Sequence, residues 1–307
     1  MGLSVGSPLV VLLLLAQRLP VIAAVDRRVP HSSPRLATSL PRASAGDDSL
    51  LPLLGVDVAS AVTSSALLSP FVTVIDKSIV MAAAGSKTLG TAVADTVVTA
   101  AKNPVKFFTS LEYLYICGVY ATTYTAANAI ETIWERRQQP TAIPKLVGTT
   151  VVNINTCVAK DASFAKMFGA KAPTAVPKRT LSLFSTRDGL TVFASFIFPP
   201  QMAAALQKMG VDSGTSLNLS QILAPVAVQL VSTPLHLLGL DFYNRAPGTL
   251  TGAAGELPRW RVCFKNYGAV AGARMLRVLP AFGIGGIGNR VLRTKGRAVV
   301  RSLSDRS

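Results

Sequence analysis

Two apolar stretches near the C-terminus decide the reading of this chain: QILAPVAVQLVSTPLHLLGLDFYNR, Gln221 to Arg245, and GARMLRVLPAFGIGGIGNRVLR, Gly272 to Arg293. Neither alternates apolar and polar positions as a strand does, and each approaches the roughly 20 residues that a helix needs to cross a bilayer. The first meets Pro234 and closes on Asp241 and Arg245. In the second, Arg274 and Arg277 lie one turn apart on one helix face, ahead of Pro280 and a run of small residues. The pair reads as two spans joined by a polar loop.

Weaker versions of the same pair occur upstream. LGVDVASAVTSSALLSPFVTVIDK (Leu54 to Lys77) carries Ser69-Pro70 where the last copy has Thr233-Pro234. KLVGTTVVNINTCVAKD (Lys145 to Asp161) has Asn155-Thr156-Cys157 at the equivalent place, without a proline. Their partners are Leu111 to Glu135 and Leu181 to Met202, the second of which holds Arg187-Asp188. Positions 70, 156 and 234 are about evenly spaced, as tandem repeats require.

Ser/Thr-Pro-aliphatic on an odd-numbered span, followed by Arg-x-x-Arg-x-x-Pro-x-x-Gly-Ile on the next, resembles the mitochondrial carrier repeat. The strings TPLHLLGLDFYNR and LPAFGIGGIGN are also similar to a carrier-like group of fungi and algae. The resemblance covers Leu54 to Arg293. It implies an all-α membrane protein of six transmembrane helices in three tandem helix pairs, with the helix-kink motif at Ser69, Pro70, Thr233, Pro234 and Pro280. It also implies that Arg187 binds a solute carboxylate, that Asp188 binds an ammonium, and that Arg277 is a third-repeat contact. One departure counts against it. Carriers place an acid two residues and a base five residues after each kink proline, and this chain has Val72 and Ile75, Val158 and Asp161, and His236 and Gly239 instead.

Composition agrees with membrane embedding. Of 307 residues, 50% are hydrophobic and only 15% charged, with mean hydropathy +0.42; a soluble domain carries about 25% charged residues. The net charge of +16 suits anionic lipid headgroups or a basic vestibule that collects anionic solutes. Nucleic acid is excluded as a partner, because aromatics are sparse and the basic residues are scattered without a recognition module. No enzyme motif is present, and two histidines with three widely spaced cysteines (Cys117, Cys157, Cys263) build no metal site. Neither a catalytic residue nor a cofactor is expected. GIGGIGN (Gly283 to Asn289) lacks the ending of a phosphate loop and reads as close helix packing.

The domain reading follows. Residues 1–46 form a cleavable leader, in which PLVVLLLLA and VIAA look like a signal peptide and DRRVPHSSPRLATSLPRASAG like a transit peptide. That arrangement resembles the bipartite leader of a complex plastid; a single mitochondrial presequence is the alternative. Residues 51–293 form the membrane domain and 294–307 a basic tail. Ser78 to Ser110 is expected to be an amphipathic surface helix, the fourth span to end at Pro199-Pro200, and Lys208 to Ser220 to be a polar loop.

Charges inside apolar runs carry the functional reading. One at mid-bilayer costs about 2.5–3.5 kcal/mol on insertion scales. Arg187, Asp188 and Arg277 therefore point to a transporter of a small anionic or zwitterionic metabolite, an amino acid or carboxylate, in an organelle membrane. The alternatives are helix-locking ion pairs for Arg187 and Asp188, a snorkelling interface anchor for Arg274, and for the whole chain a non-transporting scaffold in contact with membrane lipids.

Overall fold

The computed structural model describes residues 50–170, 174–245 and 257–304. The expected leader lies outside the described residues, as do parts of two loops (171–173 and 246–256) and residues 305–307. Among the described residues there is no strand.

The helices are α1 (Leu50–Ala83), α2 (Leu89–Lys102), α3 (Pro104–Phe108), α4 (Leu111–Arg136), α5 (Ala142–Phe168), α6 (Lys178–Lys208), α7 (Ser213–Asn244), α8 (Arg259–Lys265), α9 (Tyr267–Pro280) and α10 (Gly288–Ser304). A π-helical segment, Ala281–Ile287, joins α9 to α10, so that Tyr267–Ser304 runs on for 38 residues. Three helices are long and apolar enough to cross a membrane: Leu50–Ala83, Ser213–Asn244 and Tyr267–Ser304. α4, α5 and α6 have 26, 27 and 31 residues, about 40 Å or more at 1.5 Å per residue. They have the length, but threonine, asparagine and charge dilute their hydropathy.

The long helices pack in chain order, α1 on α4, α4 on α5, α5 on α6, α6 on α7 and α7 on α9; α9 and α10 return to α1. Leu68 and Val72 of α1, Ile116 of α4, Phe164 of α5, Phe184 of α6 and Leu240 of α7 meet in the largest apolar cluster. Small residues set the closest approaches. A Cβ at Gly239 would lie 2.7 Å from the Phe184 ring, and one at Gly285 would run into the Tyr124 hydroxyl. Within GIGGIGN, Gly285 therefore serves close helix packing.

Several boundaries differ from the expected ones. α1 continues through Ser78 to Ala83 and turns at Gly85, where φ is +74°. The expected surface helix is thus two shorter ones, α2 and α3, split where Asn103 ends α2 and Pro104 opens α3. α6 passes through Pro199 and Pro200 to Lys208, its extra turns held by packing along α7. The polar loop before α7 shrinks to Met209–Asp212, because the Asp212 carboxylate accepts from the Thr215 backbone N–H at 2.8 Å and starts the helix there. The division between membrane domain and basic tail at Arg293 falls inside α10.

The prolines of the kink motif sit inside continuous helices. A proline has no N–H, so the carbonyl four residues earlier loses its helical donor. For Pro70 that carbonyl is Ala66, which accepts from the Tyr113 hydroxyl at 3.2 Å; for Pro234 it is Leu230, which accepts from Tyr267 at 2.8 Å. Ser69 and Thr233 each donate to the carbonyl one turn back, Ser65 and Gln229, at 2.5 Å. Pro280 closes α9 where the π-helical segment begins.

Candidate functional site

Polar residues on the inner faces of these helices enclose a cavity of about 630 Å³, well within the range of small-molecule sites. Its charged end is formed by Asp76 of α1, Lys160 of α5, Arg187 and Asp188 of α6, and Arg277 of α9. Tyr120, Tyr124, Asn153 and Thr191 line the middle, and Pro199, Pro200, Leu217 and Gln221 the far part, at the end of α6 and the start of α7.

The charged end is one continuous network. Arg277 holds Asp76 at 2.8 Å, and Lys160 bridges Asp76 at 2.7 Å and Asp161 at 2.5 Å. Arg187 then binds Asp161 and Asp188, each at 2.6 Å, and donates to His236 Nδ1 of α7 at 2.7 Å. These contacts tie α1, α5, α6, α7 and α9 together at one level. Buried ions are tolerated only when paired in this way, and removing a single partner costs about 3–5 kcal/mol.

Two groups in the network keep capacity for a ligand. Asp188 is 6% exposed, yet its Oδ2 has no hydrogen-bond partner among the described residues. The Arg277 side chain is 20% exposed, against 4% for Lys160 and 2% for Arg187, and so is the most accessible base. Arg187 is engaged at all three of its nitrogens. They are committed to Asp161, Asp188 and His236, so the pairing expected as an alternative for Arg187 is present. Arg274 does not snorkel to an interface. It is 2% exposed and donates to Gln229 Oε1 at 2.9 Å and Ser232 Oγ at 3.5 Å, both on α7.

A second polar cluster lies 19 residues away along α1, about 28 Å at helical rise. Asp57, fully buried, pairs with Arg293 at 2.6 Å and also bonds Thr132. Arg293 reaches Glu131 at 2.5 Å, and Glu131 holds Lys145 at 3.0 Å. Asn128 and Asn289 exchange amide hydrogen bonds at 2.9 and 3.0 Å. This cluster joins α1, α4, α5 and α10 at the opposite end of the bundle.

Sequence reasoning singled out Arg187, Asp188 and Arg277 as solute contacts, and all three line one cavity. It missed Lys160, His236 and the Asp57–Arg293 cluster. The available signal was the recurrence of Asp76, Asp161 and Asp241 near the ends of odd-numbered helices. Asp76 and Asp161 enter the network, whereas Asp241 pairs with Arg245 and Arg259 beyond it. No group of three or more His, Cys, Asp or Glu side chains with metal-binding geometry occurs among the described residues.

Long apolar helices around a charged cavity define an all-α membrane protein. Residues 60–297 match the family described as "Probable citrulline exporter", and the chain belongs to that family. No curated protein matches it. The family match corrects the resemblance to mitochondrial carriers, because the domain it identifies is not the carrier domain. The residues behind that resemblance do local work: a proline inside a helix and a back-bonding Ser or Thr one position earlier are general devices of buried helices. The charges that would have distinguished a carrier are absent from their places.

Proposed function

We propose that this protein is a membrane transporter for a zwitterionic amino acid of the citrulline type, with the cavity as its binding site. The observation that carries the reading is the pairing, in one cavity, of the unpartnered Asp188 Oδ2 with the accessible Arg277 guanidinium. A carboxylate that accepts from an ammonium and a guanidinium that binds a carboxylate are what an α-amino acid needs. Family membership supports the same class of solute. A neutral ureido tail would find hydrogen-bonding neighbours in Asn153, Thr191 and Gln221.

In this reading the six long helices are six spans, and the charged network is the closed gate at one end of the cavity. The solute carboxylate competes with Asp76 for Arg277, and its ammonium takes Asp188. The first exchange loosens the link between α1 and α9 while Asp76 keeps Lys160, so no charge is left uncompensated, which a membrane interior requires. An organelle membrane, a plastid envelope or the mitochondrial inner membrane, is proposed from the leader composition alone. Fusing the first 50 residues to a fluorescent reporter tests it, and a secreted reporter would overturn it.

The deciding experiment is uptake of labelled citrulline, with other amino acids and carboxylates as a panel, into vesicles containing the purified protein. Citrulline should be taken up, and Arg277→Ala and Asp188→Asn should each reduce uptake at low solute concentration by about 10–100-fold, the worth of one charged hydrogen bond. If the wild type moves nothing on the panel, the non-transporting scaffold becomes the better account. If it transports and both variants match it, the site is misplaced.

A further inference from the structure

A second cavity, of about 700 Å³, lies on the outer side of the bundle, and its walls are almost wholly apolar. Phe71 and Ile75 of α1, Val97 and Ala100 of α2, Phe108 of α3 and Leu279 of α9 define it, with Pro70 and Pro280 at its back. α2 and α3 lie across this groove. They bury few residues of their own, Ala92 and Thr96 in α2 and Phe107 in α3, while Val98 and Val105 stay exposed. From Thr96 to Ser110 the chain carries Lys102 and Lys106 and no acid. Both lysines are exposed, and neither has an ion-pair partner among the described residues, whereas Lys87 earlier in the segment is held by Asp95 at 2.6 Å.

We propose that this groove is a binding site for an anionic phospholipid, whose acyl chain fills the apolar cleft while its phosphate is held by Lys102 and Lys106. An apolar slot of this size accepts a hydrocarbon chain. Basic residues beside such a slot at the edge of a membrane-spanning bundle select the headgroup by charge. The site has a route to the gate. Ile75 precedes Asp76, and Leu276, another groove residue, precedes Arg277, so the two helices that line the groove also carry the Asp76–Arg277 pair at 2.8 Å, at positions about 100° further round each helix. A bound chain wedges against α1 and α9 and biases that contact, which makes the lipid a regulator of the network.

Native mass spectrometry of the detergent-solubilised full chain, titrated with phosphatidylglycerol or phosphatidylcholine, tests binding without reference to transport. Phosphatidylglycerol should form a saturable one-to-one adduct well below the concentration that phosphatidylcholine requires. Lys102→Gln with Lys106→Gln should weaken phosphatidylglycerol about thirtyfold, the product of two surface charges near a headgroup, and leave phosphatidylcholine unchanged. Val97→Trp, which fills the groove from the exposed α2, should weaken phosphatidylglycerol as well; Ala100→Leu replaces it if that chain fails to fold. Equal binding of the two lipids overturns the proposal, as does a headgroup preference that survives loss of both lysines. Displacement of the lipid by glycerol phosphate without an acyl chain also overturns it, since the groove would then contribute nothing.

Discussion

The Tyr267 hydroxyl lies 2.8 Å from the Leu230 carbonyl, the acceptor that Pro234 deprives of its helical donor. Tyr113 makes the equivalent bond to Ala66, behind Pro70, at 3.2 Å. In each case the tyrosine stands at the start of the next long helix, so a local defect in one helix becomes a bond to its neighbour. In the middle pair Thr156 takes the place of the proline and keeps its N–H, Asn155 in the preceding position donates from Nδ2 to the Val151 carbonyl at 2.8 Å, and no carbonyl is freed.

Removing these donors should therefore cost stability at both places. Tyr113→Phe and Tyr267→Phe are each expected to lose about 1 kcal/mol, the worth of one hydrogen bond plus a carbonyl left unsatisfied. The two sites are on different helix pairs, so the double variant should show the sum. Tyr115→Phe, at a partly exposed position with no such bond, should be neutral. Thermal unfolding of the purified protein in detergent measures all four.

Arg187 is the most heavily bonded group of the network, and Arg187→Met should destabilise by about 3–5 kcal/mol because Asp161 and Asp188 lose a buried counter-ion. Adding Asp188→Asn removes one of the orphaned charges. The double variant should then be more stable than Arg187→Met alone. A double variant that is worse by the simple sum would show that the two side chains are not energetically coupled.

The walls of the cavity can be mapped by cysteine substitution. Thr191→Cys and Gln221→Cys, both in the cavity lining, should react with a small water-soluble thiol reagent in membranes. Val231→Cys, on an exposed apolar face of α7 at 64% exposure, should not, because lipid covers it. Saturating citrulline should slow the reaction at Thr191→Cys. Labelling of Val231→Cys at the same rate as the cavity positions would place that face in water.

Asp212 caps α7 from the aqueous loop, and hydrogen bonds from Thr215 hold its carboxyl below the ordinary carboxylate range. A group whose folded value is depressed contributes stability above its unfolded value and loses it as the pH falls through the folded one. Asp212→Ala should thus lower the unfolding temperature at neutral pH, and the difference from wild type should vanish in acid, where Asp212 is protonated. Asp212→Asn keeps the cap and should stay close to wild type at neutral pH. Unfolding curves at both pH values provide the test.

The sequence by itself determined where the long helices are. Apolar runs near bilayer length are local signals, and each long helix contains one of them, although the start of α7 at the Asp212 cap fell within an expected loop. It also singled out Arg187, Asp188 and Arg277, because a charge in an apolar run is conspicuous without any partner. Boundaries were legible only where a local residue sets them. α6 runs through Pro199-Pro200 because packing on α7 outweighs two missing donors, and no window of sequence contains that contact.

What only the tertiary structure decided is which charges meet. Arg277 and Asp76 are 201 positions apart, and Arg293 and Asp57 236 apart. Nothing in the spacing of such residues fixes a partner that another helix brings. The structure engages every nitrogen of the Arg187 guanidinium and leaves one Asp188 oxygen without a partner among the described residues, a distinction invisible in the dipeptide itself. The physical reason is that helix formation depends on neighbours within a turn or two, whereas compensation of a buried charge depends on whatever lies within a few ångströms in space.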